Sequence, residues 1–255
     1  MKWLRFLLDG REAIGCLDGD VVHVHTGSLF GDHHPDGRTV PAAGLTWLTP
    51  CRPGKIIGLW NNFRAAAAKN QWAEPAEPLY FLKASSSALA HGQHIPVPAA
   101  YEGRVAYEGE LALVIGRRAR SVSVGDALSH LLGYTCANDV TAMELIGRDP
   151  SFPQWARAKS MDGFGVFGPV IETDFDPAGA NLVTRVGGRE RQNYPLADMF
   201  FGPAELVSRL SHDMTLEPGD VILCGTSLGV LPMKAGTLVE VEVAGIGTLS
   251  NVYGA

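Results

Sequence analysis

Turn signals divide this chain into pieces too short for long helices. Thirty glycines and sixteen prolines are spread over 255 residues, and the pairs Asp9-Gly10, Asp18-Gly19 and Asp36-Gly37 mark reversals between short β-type runs. Residues 1–50 read as a small β subdomain, whose opening run alternates apolar and charged side chains as a strand does and a signal peptide does not. Residues 51–255 form the main domain. There a buried-type strand over 55–59 leads into an alanine-rich helical stretch, 63–72, placed to act as a lid. The breaker Glu74-Pro75-Ala76-Glu77-Pro78 separates it from a strand over 79–83. Residues 104–115 are the strongest strand run; Asp126 is placed to cap a helix over 127–132, and Pro203 to begin one over 204–210. β-Branched runs at 221–224, 238–244 and 248–253 follow, the last two a hairpin through Gly245-Ile246-Gly247. Many strands, few short helices and no regular βαβ alternation predict a β-rich α+β fold, not a doubly wound sheet.

Composition narrows the partners. Acidic residues outnumber basic ones, 27 to 21, with no basic run long enough to follow a phosphate backbone, so nucleic acid is not expected. Hydrophobic residues make up 46%, enough for a core, yet no apolar stretch approaches the roughly 18 residues of a membrane span. Cys16, Cys51, Cys136 and Cys224 are too widely spaced for a compact disulfide framework or a zinc knuckle, which points to the cytoplasm.

Two motif matches fail on context. Gly225-Thr226-Ser227-Leu228-Gly229 fits a nucleophile elbow, but Pro232 and Gly236 leave no room for the helix that must follow. Gly163-Phe164-Gly165-Val166-Phe167-Gly168 fits a dinucleotide loop, but Pro169 and a β-branched run follow where a helix is required. His33 and His34 sit in a Pro/Gly-rich segment and receive no role.

The chemistry gathers at Tyr107-Glu108-Gly109-Glu110. On a strand Glu108 and Glu110 share one face, with Leu111, Leu113 and Ile115 on the other. Such a pair is either a solvated strand face or, if enclosed, needs a metal or a basic side chain between its charges. Asp139, read as the start of a helical stretch in Asn138-Asp139-Val140-Thr141-Ala142, could supply a third oxygen ligand. Three carboxylates without thiolate or paired imidazole select a hard ion, Mg²⁺ or else Mn²⁺ or Ca²⁺, over zinc.

These motifs, with Phe81-Leu82-Lys83-Ala84-Ser85-Ser86, Gly133-Tyr134-Thr135, Arg157-Ala158-Lys159, Pro218-Gly219-Asp220 and Gly225-Thr226-Ser227, resemble in order and spacing the fumarylacetoacetate hydrolase superfamily over about residues 54–253. The resemblance implies a β-roll core with a small N-terminal β subdomain, a homodimer, and a Mg²⁺ site at Glu108, Glu110 and Asp139. It further implies that the metal chelates the head of a small-molecule 2-oxo acid, that Lys159 stabilises the enolate and Lys83 assists, and that Gly225 and Thr226 bind the carboxylate, with Arg157 also on the substrate.

The chain departs from its relatives in the lid. Hydrolytic members resemble N-Y-x-x-H-x-x-E, where the His and Glu activate water; here Asn62-Phe63 is followed by Ala66 and Lys69 in those slots. Loss of a positioned base costs about 10² to 10⁴ in rate, so isomerisation or decarboxylation is expected ahead of C–C hydrolysis of an acylpyruvate or similar β-diketone. His91 and His94 are the nearest substitute bases in sequence. A protein that binds a keto acid without turning it over is the alternative of another class. Met143 and Ile146 stand where relatives carry polar residues and would favour an apolar or aromatic tail, whereas Arg64 and Lys69 on the lid would favour a second carboxylate.

Overall fold

Period-two alternation in the first fifty residues folds into a ladder of hairpins: β1 (Lys2–Leu8), β2 (Arg11–Asp18), β3 (Val21–Gly27) and β4 (His33–Pro41), with β5 (Thr46–Leu48) returning onto β1. The coordinates are a computed structural model and describe residues 1–254. Asp9 and Gly10 both take positive φ, 52° and 73°, the turn whose twist matches paired strands. Asp36-Gly37 is not a reversal. It lies within β4, whose pairing with β3 slips register between His23 and His25, and the reversal falls at 28–32, where the Ser28 N–H donates to the Asp32 carbonyl.

The chain continues with β6 (Ile56–Trp60), α1 (Arg64–Asn70), β7 (Leu79–Lys83), β8 (Ala88–Leu89), β9 (Val105–Ala106) and β10 (Gly109–Ile115). Then come α2 (Val124–Ala127), β11 (Leu131–Asp139), β12 (Thr141–Ala142), α3 (Met143–Ile146), α4 (Trp155–Lys159) and β13 (Gly165–Glu172). The chain ends with β14 (Asn181–Val186), β15 (Arg189–Pro195), α5 (Pro203–Asp213), β16 (Val221–Leu223), β17 (Thr237–Val243) and β18 (Gly247–Tyr253). One long sheet runs β4-β3-β2-β1-β13-β11-β10-β16-β6-β7, and a second runs β15-β14-β17-β18. The β-rich α+β fold is as expected. The N-terminal hairpins share the long sheet through β1 against β13, with Lys2 opposite Glu172 and Trp3 opposite Ile171.

β10 is buried on both faces. Leu111, Leu113 and Ile115 join one core with Leu182, Val239 and Val241 of the second sheet, while Ala112 and Val114 join another with Ile56, Phe167 and Val221. A strand so placed can carry a carboxylate only where its own neighbours supply the partners. The predicted strand over 104–115 is broken at Tyr107-Glu108, because β9 pairs separately with β12. Two local readings also change. Ser123, not Asp126, caps α2 by accepting from the Asp126 N–H at 3.2 Å, and Leu131 and Leu132 leave the expected helix to begin β11, since sheet pairing overrides local propensity there.

A Cβ on Gly133 would sit 2.2 Å from the Glu172 carbonyl oxygen of β13, which is backbone and cannot yield cheaply. Gly133→Ala is therefore expected to lower stability by about 1–3 kcal/mol in urea unfolding. Gly147→Ala, with no atom within 4 Å of the new methyl, is the matched control and is expected to stay within about 0.5 kcal/mol.

Candidate active site

Antiparallel pairing of β10 with β11 sets the centre. Gly109 lies opposite Asn138, the Asp139 N–H donates to the Glu108 carbonyl at 2.9 Å, and the Glu108 N–H donates to Asn138 Oδ1 at 3.0 Å. Asp139 thus ends a strand instead of opening a helical stretch. Glu108, Glu110 and Asp139 bring one carboxylate oxygen each within 4.8 Å of one another. Gly109 between the glutamates is required by the second sheet: a Cβ there would fall 2.0 Å from Thr184 Oγ1 of β14.

Two lysines reach the same carboxylates. Lys83, at the end of β7, lies 2.5 Å from Asp139 Oδ1; Lys159, at the end of α4, lies 2.6 Å from Asp139 Oδ2 and 2.9 Å from Glu108 Oε1. Both are buried, so Lys159 is no surface lysine. Burial alone would raise Asp139, but the charges of Lys159 and Lys83 outweigh it and hold the carboxyl below its ordinary range. Lys159 is held above the usual lysine range, since Asp139, Glu108 and Glu110 overcome its desolvation. Lys83 goes the other way. Its burial, aided by the charge of Lys159, lowers its proton affinity despite Asp139.

Glu110 is the unbalanced member. Its Oε2 accepts the Gly225 N–H at 2.7 Å, while its Oε1 is buried without any hydrogen-bond partner. Burial first, then the charges of Asp139 and Glu108, push it well above the ordinary carboxylate range. An orphaned oxygen in a three-carboxylate cluster is what a divalent oxygen-ligated cation would satisfy, so the donor set fits a hard metal ion.

The cluster opens into a cavity of about 430 Å³. Glu108, Lys159 and Thr226 lie at its polar end; Trp60, Trp72, Phe81, Trp155, Met143 and Ile146 make an apolar wall. Lys69 of α1 also lines it, one turn from Ala66. Met143 and Ile146 therefore do face the site. Arg64 does not line it: its guanidinium donates to the Met199 carbonyl and lies 4.9 Å from the Phe200 ring centroid. Arg157 is exposed and donates to Gln154 Oε1 at 3.1 Å, outside the lining. The Gly225 N–H is committed to Glu110, and the Thr226 hydroxyl donates to the Gly109 carbonyl at 2.9 Å while accepting from Gln192 Nε2 at 2.8 Å. His91 and His94 are elsewhere. The Ser250 N–H donates to the His91 ring at 3.1 Å, and His94 Nδ1 lies 3.1 Å from the Gly254 carbonyl.

The profile described as Fumarylacetoacetate (FAA) hydrolase C-terminal matches residues 55–253, more than half of the chain. The chain belongs to the fumarylacetoacetate hydrolase family. Residues 1–50 of this family member match a second profile, Rv2993c-like, N-terminal. A protein of Archaeoglobus fulgidus is 42% identical over 97% of this chain and 94% of its own length. The oxaloacetate tautomerase YisK of Bacillus subtilis is 35% identical over 80% of this chain and 71% of its own. Among solved structures, 5-carboxymethyl-2-hydroxymuconate delta-isomerase from Mycobacterium smegmatis superposes with a TM-score of 0.91 at 36% identity, covering 100% of this chain and 99% of the other.

The tryptophans are what sequence reading missed at this site. Three of the chain's five meet at the cavity although Trp60 and Trp155 are far apart in sequence, a convergence only the topology reveals.

Asp139 and Glu110 should respond oppositely to neutralisation in protein stripped with a chelator. Asp139→Asn leaves two buried ammoniums short of a partner and is expected to cost about 3–5 kcal/mol. Glu110→Gln relieves repulsion, so its metal-free melting temperature is expected to equal or exceed that of the parent, while the upward shift on adding Mg²⁺ or Mn²⁺ disappears. Differential scanning calorimetry with and without metal measures both.

Proposed function

We propose that this chain is a divalent-metal-dependent enzyme, with Mg²⁺ the expected ion, that interconverts keto and enol forms or shifts the double bond of a 2-oxo acid, in place of hydrolysing a C–C bond. The observation that carries this is the set of ionisable side chains around the cavity. Among the described residues these are Glu108, Lys159 and Lys69, with no histidine and no carboxylate on the lid. Water activation for C–C cleavage has no positioned base there, whereas moving a proton between carbon and oxygen of one substrate needs none for water. The names of the relatives, a tautomerase and an isomerase, support the same direction.

Glu108, Glu110 and Asp139 would hold the cation, which when bound polarises the 2-oxo group and favours its enolate. Charge balance favours an anionic substrate. With all three carboxylates ionised, two ammoniums leave one negative charge; a divalent cation turns that into one positive charge, and a substrate carboxylate restores neutrality. Lys159, kept protonated by its carboxylates, is a fixed cation at the polar end of the cavity and stabilises negative charge developing on the substrate. Lys83 holds Asp139 by its other oxygen and keeps its carboxylate ionised.

Ultraviolet absorbance of the enol, followed with oxaloacetate and with an acylpyruvate in Mg²⁺, tests the reading. Tautomerisation without cleavage is expected, and Glu108→Ala is expected to slow it about 10²-fold or more. Pyruvate released from oxaloacetate would make the reaction a decarboxylation, and rapid pyruvate release from the acylpyruvate would establish hydrolysis instead.

A further inference from the structure

We propose that the 2-oxo acid taken by this site carries an aromatic tail, seated between Trp60, Trp72, Trp155 and Phe81; the proposal rests on the reading above for the head of the molecule. The four rings form a continuous wall. Trp60 lies 4.9 Å from Trp72 and 6.0 Å from Trp155 between centroids, and Trp155 stacks on Phe81 at 5.4 Å and 15°. The indoles meet at 46° and 58°, so Trp60 is not stacked face to face on either neighbour. Met143 and Ile146 extend the same apolar surface.

This wall begins at the head site. Lys159 Nζ is 5.1 Å from the centroid of the Phe81 ring, so a molecule with its 2-oxo-carboxylate at Lys159 directs its tail along the aromatic surface. The volume of about 430 Å³ falls within the roughly 300–1,000 Å³ of pockets that hold ring-bearing ligands. A flat ring spends little conformational freedom on binding and prefers offset or edge contacts with other rings, which tilted indoles supply. The chemistry agrees. An aryl group on the carbon next to the 2-oxo group conjugates with the enol and acidifies the C–H that must lose its proton.

An acidic tail is the competing reading, and Lys69 is the one group that could meet it. Lys69 is exposed and forms no ion pair among the described residues, so a carboxylate there would be screened by solvent, and every other part of the tail wall is uncharged.

Calorimetric titration of the Mg²⁺-loaded protein with oxalate, 2-oxobutyrate, 2-oxoglutarate and phenylpyruvate separates the cases. Phenylpyruvate is expected to bind about tenfold or more tighter than 2-oxobutyrate and to quench tryptophan fluorescence. Trp155→Leu, and independently Trp72→Leu at the more exposed edge, should each reduce that ratio. Equal binding of phenylpyruvate and 2-oxobutyrate while oxalate still binds would overturn the aromatic tail and leave the head reading standing. Tightest binding of 2-oxoglutarate, lost in Lys69→Ala, would overturn it in favour of an acidic tail. Failure of oxalate to bind in the presence of metal would defeat the head reading and this proposal with it.

Discussion

Lys83 and Lys159 are what permit carboxylates to exist in the dry middle of this molecule. Asp139 has no exposed side-chain surface, and each of its oxygens faces a different ammonium, at 2.5 Å and 2.6 Å. An isolated charge at that depth would neutralise or unfold the site. The two lysines come from neighbouring elements, one from the end of a strand at the edge of the long sheet and one from a five-residue helix packed on that strand, with Trp155 stacked on Phe81. The same ion pairs that make the site therefore tie α4 and β7 to β11. Site and scaffold are not separable here, and for that reason the charge changes most informative about binding also report on stability.

The arrangement leaves Glu110 with the cost. Asp139 takes both ammoniums and Glu108 shares one of them and accepts from the Thr141 hydroxyl at 2.6 Å, but Glu110 receives a single backbone N–H from Gly225. That bond crosses from β10 to the loop after β16, and the same loop is held a second time by Thr226 on the Gly109 carbonyl. Gly109 is the joint of this assembly. Its carbonyl also accepts from the Tyr194 hydroxyl at 2.6 Å, its N–H donates to Gln192 Oε1 at 3.0 Å, and its missing side chain admits β14. The Glu-Gly-Glu triplet thus encodes two things at once, the carboxylate spacing at the start of β10 and close approach of the second sheet.

This explains what the sequence could disclose. Glu108 and Glu110 were legible because period two puts them on one face, and Asp139 was legible as a third oxygen ligand although the helical stretch it was expected to open is the end of a strand; the fold class was legible because glycine and proline forbid long helices. The family resemblance, not spacing, brought in Lys83 and Lys159, since one lysine in a strand and another in Arg157-Ala158-Lys159 look like surface residues until topology buries them. Ser123 in place of Asp126 as a cap was not legible because the helix begins three residues before the expected one, and Asp36-Gly37 as a register slip was not because it depends on which partner strand wins the backbone. The tryptophan wall was invisible for the same reason: its members belong to β6, the lid and α4, and no local pattern links them.

What remains is why a chain would carry the three-carboxylate cluster without the lid's base pair. Ala66 and Lys69 both line the cavity, at the two positions where the resemblance to hydrolytic members implies His and Glu. A methyl group in place of an imidazole removes the partner that would hold a nucleophilic water, and Trp72 just beyond α1 adds apolar surface to the cavity lining. On the proposed reading, an enol with no base beside it to activate water would keep proton return to carbon as its available exit. On the same reading the lid face would select the reaction by the groups it lacks, and the carboxylate cluster beneath it would serve either outcome.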